Sequence, residues 1–146
     1  MNLGEIPGKK DFKKTTEPEE RQAENKGGVY VIQKHAATRL HYDLRLEMDG
    51  VLKSWAVPKE PPTESGLKRL AVQVEDHPLS YANFEGTIPE NEYGAGKVEI
   101  WDKGTFNLLE GKEDMLLVNI HGEKLKGTYV LIRLKDKKNW LLFKKK

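Results

Sequence analysis

The sequence predicts a mainly β fold of about eight short strands, arranged as a sandwich or a small barrel. Three observations carry that expectation. Runs rich in β-branched and aromatic residues follow one another from Val29 onward, clusters of Gly, Pro, Asn and Asp part them, and very little of the chain has a helical apolar period. A chain of 146 residues is long enough for one domain with a real core.

Residues 1 to about 27 are polar, with six basic and six acidic side chains up to position 26. They read as a flexible or draped segment, with at most a short helix around Pro18 to Glu24. The β domain then takes 28–146. "VYVIQKH" suits a buried strand, and "RLHYDLRLEM" alternates with period two. Asp49-Gly50 signals a tight hairpin turn into "VLKSWAVP". "KEPPTESG" is a loop and "KRLAVQVED" a fourth strand. "YGAGKVEIWDKGTFNLLE" reads as a hairpin turning at Asp102-Lys103-Gly104, and "MLLVNIHGEKLKGTYVLIRL" as another turning between Gly122 and Gly127. "NWLLFKK" closes the set. "YGAGKV" is no phosphate loop, because Asn91 and Val98 stand where that motif needs a glycine and a hydroxyl residue. Gly94 and Gly96 suit a tight bend at the head of a strand. Core packing is the expected work of Trp55, Trp101 and Trp140.

The composition narrows the functional classes. Zero cysteines exclude disulfides and cysteine-ligated metal centres. No apolar run is long enough to span a bilayer, and the N-terminus lacks the apolar centre of a signal peptide. A cytoplasmic protein with no membrane partner is therefore the expectation. The net charge of +2 is unevenly spread: residues 121–146 carry nine basic and two acidic side chains, and the segment between the two ends nets −5. A basic C-terminal region suits phosphate binding, and equally suits solvated edge strands.

The chemistry gathers in "QKHAATRLHYDLRLEMDG". Alternation turns His41, Asp43, Arg45 and Glu47 to one side and Leu40, Tyr42, Leu44 and Leu46 to the other, where they would form core. His35 can return to the same place from a neighbouring strand end. Two histidines and a carboxylate suffice to hold a metal with positions left open for water and substrate. The alternative is a set of exposed residues on a wet sheet face. Arg45 is placed to hold an anion beside that metal, or to make a surface salt bridge. His77 should sit at a strand end, with Tyr81 four residues on; it could donate a proton or a hydrogen bond to a phosphoryl oxygen, or be an ordinary turn histidine. Glu47 reads as solvated or salt-bridged.

"YVIQKHAATRLHYDLRLEMDGVLKSWAVPK", "RLAVQVEDHPLSYANFEGTIPENEYGAGKVEIWDKGTF" and "KLKGTYVLIRL" together resemble the 3′-phosphoesterase domain of bacterial DNA ligase D, over roughly residues 8 to 143. The resemblance implies a small closed or partly open β-barrel, with the polar N-terminal segment packed over it to complete the active site. It implies a divalent metal, typically Mn2+, on His35, His41 and Asp43, and phosphate contacts from Arg45, His77 and Tyr81. Gln33, Lys59, Arg69 and Glu75 fall on supporting active-site positions. "KKDFKKTTEP" matches the family's N-terminal motif at Asp11 and Glu17, with Lys10 replacing an arginine and so losing its bidentate fork. The implied activity is removal of 3′-terminal ribonucleotides and 3′-phosphates from DNA or DNA/RNA primer-template ends, leaving a 3′-hydroxyl. The implied partners are a DNA ligase and end-binding repair proteins. Two other classes fit the same residues: a non-catalytic 3′-end-binding module and a non-haem iron oxygenase on a small barrel.

Overall fold

The computed structural model describes residues 27–92 and 95–146. Among them are nine strands: β1 (Gly27–Ala36), β2 (Leu40–Met48), β3 (Val51–Val57), β4 (Lys68–His77), β5 (Gly86–Ile88), β6 (Gly96–Lys112), β7 (Met115–His121), β8 (Lys126–Arg133) and β9 (Asn139–Lys144). A short 3-10 helix, Leu79–Asn83, lies between β4 and β5. The strands run β1-β2-β3-β4-β9-β8-β7-β6 in space, and β6 pairs back onto β1, which closes an eight-stranded antiparallel barrel. Closure settles the choice between sandwich and barrel that periodicity leaves open, and it removes the barrel's free edges. β5 adds a three-residue ladder along the start of β6.

Alternation packs the barrel interior with Tyr30, Ile32, Leu44, Trp55, Phe106 and Leu131, among others. Trp140 belongs to that cluster and Trp101 leans against it, as expected of the tryptophans. Leu40 does not: it heads β2 beyond the core and is 46% exposed. Asp49 and Gly50 both have positive φ, the geometry of a two-residue hairpin turn, and they lock β2 and β3 into register from Met48↔Val51 upward.

The hairpin expected at Asp102-Lys103-Gly104 is absent, and a single strand of 17 residues runs straight through it. These residues have turn chemistry for other reasons. Asp102 is buried, where it accepts the Tyr30 hydroxyl at 2.7 Å and the backbone N–H groups of Glu123, Lys124 and Leu125 at 2.9–3.0 Å. Gly104 lets the His121 backbone approach closer than any Cβ would allow. The chain reverses instead at Glu113-Asp114, between β6 and β7.

Outside the barrel, the 3-10 helix lies against β1 and β3. Ala82 packs on Val31 and Leu52, with Tyr81 and Ile100 alongside. β1 is therefore buried on both faces, which is why "VYVI" reads as a continuous apolar run rather than an alternating one. No helix among the described residues is long and apolar enough to cross a membrane. Asp11, Lys10, Glu17, Gly94 and the helix around Pro18 lie outside the described residues, as does the expected packing of the N-terminal segment.

Candidate metal and phosphate site

β1 and β2 are antiparallel neighbours, and their register sets His35 opposite His41, Gln33 opposite Asp43 and Val31 opposite Arg45. Alternation turns these polar side chains outward while Ile32, Tyr42 and Leu44 fill the core. The outer face here is not a wet sheet: Asp43 is 6% exposed and Arg45 3%.

One ligand atom each from His35, His41 and Asp43 lies within 4.8 Å of the others. His35 Nδ1 is 3.6 Å and His41 Nε2 3.2 Å from the Asp43 carboxylate. The other nitrogen of each ring faces a carbonyl: His35 Nε2–H donates to Ala95 O at 3.3 Å and His41 Nδ1–H to Arg39 O at 3.1 Å. A carbonyl can only accept, so with a cation bound each ring would carry its proton there and offer the lone pair of its other nitrogen beside Asp43; without one, the Asp43 carboxylate competes for that proton. This donor set fits a divalent cation. The Asp43 hydrogen bond raises the pKa of His41 against the opposing effect of burial, so proton and cation compete for Nε2.

Beside the cluster lies a cleft of about 340 Å³ lined by Arg45, Glu75, His77 and Tyr81 as well as the three candidate ligands, with Ala56, Val74 and Ile88 as apolar wall. His77 ends β4 as expected, yet simple alternation would not turn it to this face. Ser54 pairs with Val74 and Leu52 with His77, so β4 carries one residue more than β3 in that interval. This β-bulge swings His77 to the side that carries Arg45. Burial, then the Arg45 charge, lowers the His77 pKa. Burial raises that of Tyr81.

Arg45 joins these parts. Its guanidinium donates to Gln33 Oε1 at 2.6 Å, to Ser54 Oγ at 2.9 Å and to His77 Nδ1 at 3.2 Å, and lies 3.4 Å from Asp43. Its carbon sits 4.9 Å from the Tyr81 ring centre. Burial lowers its pKa, partly offset by Asp43. Gln33 in turn donates to the carbonyls of Tyr81 and Phe84, tying the 3-10 helix to the sheet. Lys59 and Arg69 are elsewhere: they line a separate depression with Pro58, Lys68 and Leu70, and Arg69 donates to Glu60 O at 2.8 Å.

Two contributors escape the sequence reading. Ser54 could have been found by counting back from the Asp49-Gly50 turn, which pairs it with Arg45. Phe84, stacked on Tyr81 with ring centres 5.1 Å apart, carries no such signal. Glu47 is half-buried, and among the described residues no cation pairs with it. It accepts the Val29 N–H at 2.9 Å and fits against Gly28.

The model of the DNA ligase D 3′-phosphoesterase domain family matches residues 33–133. The chain is similar to the multifunctional non-homologous end joining protein LigD of Pseudomonas aeruginosa, 52% identical over 155 residues, covering 99% of this chain and 18% of that protein. It is 50% identical over 130 residues to the multifunctional non-homologous end joining DNA repair protein LigD of Mycobacterium tuberculosis, covering 85% of this chain and 17% of the relative. The corresponding protein of Mycolicibacterium smegmatis is 46% identical over 150 residues, covering 94% of this chain and 20% of the relative. The chain thus spans about a fifth of the length of these relatives.

Proposed function

Because the chain belongs to the DNA ligase D 3′-phosphoesterase domain family, we propose that it is a metal-dependent hydrolase of DNA 3′ ends, removing 3′-terminal ribonucleotides and 3′-phosphates to leave a 3′-hydroxyl for ligation. The observation that carries this reading is the convergence of His35, His41 and Asp43 beside the buried Arg45. His35, His41 and Asp43 would hold a divalent ion, for which we propose Mn2+; when bound it supplies a Lewis acid for a phosphoryl oxygen.

The other residues bind and orient. Arg45, the His77 ring and the Tyr81 hydroxyl face the cleft and would donate to phosphoryl oxygens. With its pKa raised by burial, Tyr81 keeps its proton and serves as a donor. Gln33 and Glu75 support the walls. Lys59 and Arg69 would meet phosphates further along the strand, and Lys10, Asp11 and Glu17 would act from the N-terminal segment. The partners follow from this reading: DNA or DNA/RNA primer-template 3′ ends, a ligase, and end-binding repair proteins, met in the cytoplasm. An oxygenase has no need of the guanidinium, histidine and tyrosine that surround the cluster.

The test is incubation of primers ending in a 3′-phosphate or a single 3′-ribonucleotide with Mn2+, Mg2+, Zn2+ or chelator. Trimming should require a divalent ion, and His41→Ala should lower it roughly 100-fold or more. Undiminished trimming by His41→Ala would sink the metal assignment. End affinity that survives chelation without product would favour the binding-module alternative.

A further inference from the structure

Arg45 turns its donors inward. Nε–H goes to Gln33, the two protons of NH1 to Ser54 and His77, and NH2 faces Asp43. Of the five N–H groups of a guanidinium, three meet these hydrogen-bond partners, and NH2 lies beside the Asp43 carboxylate at 3.4 Å. With Nε–H and both NH1 protons engaged, neither two-nitrogen fork is free for substrate, and only NH2 is left to face Asp43 and the cleft.

The direction of each bond follows from partners that can play only one role. Gln33 Nε2 donates to the Tyr81 and Phe84 carbonyls at 2.8 and 3.2 Å, which leaves its Oε1 to accept from Arg45. The Ser54 hydroxyl donates to Leu52 O at 3.0 Å, so its oxygen accepts from Arg45 as well. His77 Nδ1 has two rival neighbours. Arg45 NH1, at 3.2 Å, can only donate, whereas Glu75 O, at 3.1 Å, can only accept.

The rivalry is decided by what each loser forfeits. If Nδ1 carried the proton, an N–H of a guanidinium that is 3% exposed would lose its acceptor, and a charged donor left unmet in the interior is the costlier loss. An under-satisfied carbonyl is the milder defect. A hydrogen bond from a charged donor is also about twice as strong as a neutral one. We propose that Arg45, aimed by Ser54 and Gln33, holds His77 as the neutral tautomer protonated at Nε2, so that the cleft meets a hydrogen-bond donor and not a base. Ser54, fully buried and out of reach of any substrate, is then a positioning residue of the site. Assigning that donor to a phosphoryl oxygen rests on the phosphoesterase reading above; the tautomer itself does not.

Two-bond proton–nitrogen NMR correlations of the full chain, taken at neutral pH with Zn2+ as a diamagnetic ion and again with chelator, read the tautomer directly. His77 should show a protonated Nε2 and an accepting Nδ1, with this form in excess by roughly tenfold or more. A proton found on Nδ1 would overturn the proposal. In Ser54→Ala the Nδ1–H form should rise several-fold, while Ser54→Thr, which keeps the hydroxyl, should retain the native ratio. An unchanged ratio in a folded Ser54→Ala would overturn the role of Ser54. None of these readouts depends on turnover, so failure of the phosphoesterase reading would appear in the primer assay alone.

Discussion

His41 is the residue on which the chemistry of the site turns, because Asp43 offers its Nε2 the same thing whether a proton or a cation sits between them. The Asp43 hydrogen bond raises its folded pKa above the value near 6.5 of the unfolded chain. In the metal-free protein this pair therefore contributes stability that is fully present below about pH 6.5 and is lost as pH rises through the folded pKa. Cation affinity has the opposite sign, since the metal needs the neutral ring. Titration calorimetry with Mn2+ should show binding weaker by roughly tenfold per pH unit below the folded pKa, with proton release on binding. An affinity independent of pH from 5.5 to 8 would remove His41 from the ligand set. Arg45 is open to a separate test. In Arg45→Lys an ammonium cannot span Gln33, Ser54, His77 and Asp43 together, so kcat/KM on either primer should fall by roughly 100-fold while Mn2+ affinity changes far less. Near-native kcat/KM in Arg45→Lys would show that a point charge is all the site needs.

At the scale of strands and turns, Asp102 staples β6 to the loop between β7 and β8. Burial works to raise its pKa, but the N–H groups of Leu125, Lys124 and Glu123 and the Tyr30 hydroxyl outweigh burial and hold it below the usual carboxylate range. The stability it contributes is therefore present above about pH 4 and lost as pH falls through the folded pKa. Asp102→Asn turns a donor toward one of those N–H groups and should cost about 1–3 kcal/mol at pH 7 by urea denaturation, with the gap to wild type narrowing as pH falls through the folded pKa. A gap that persists undiminished at low pH would mean the carboxylate's charge is not the cause. This residue also marks the limit of what the chain reveals. Local rules find Asp49-Gly50, the register it sets, and the outward row of His41, Asp43 and Arg45, because each depends on neighbours in sequence. They misread Asp102-Lys103-Gly104 as a turn because its partners lie about twenty residues away, in a loop that only tertiary packing brings close. The bulge that aims His77 is hidden for the same reason: "VQVEDH" alternates acceptably in either register, and only pairing with β3 shows the extra residue. The family motifs point to His77 and Tyr81 without that geometry, and so say nothing of how the two side chains come to line one cleft.

For the whole molecule, the closed barrel separates two tasks. Its interior is mostly apolar and holds the fold together, and the polar cluster of candidate ligands sits on the outer face of β1 and β2 under the 3-10 helix. With no free edge among its eight strands, the barrel should unfold as one cooperative unit. Fold and site should then respond to different substitutions. Leu131, fully buried in the interior, should cost about 2–4 kcal/mol as Leu131→Ala through lost burial and the cavity left behind. Well below its lowered urea midpoint, that variant should bind Mn2+ with native affinity, since none of the candidate ligands touches the cavity. His41→Ala should do the reverse, abolishing calorimetric Mn2+ binding while moving the midpoint little at a pH above the folded His41 pKa, because its ring is partly exposed and lies outside the apolar core cluster. If folded Leu131→Ala instead lost Mn2+ binding, the outer face would depend on the exact packing beneath it, and the barrel would be part of the site rather than its platform.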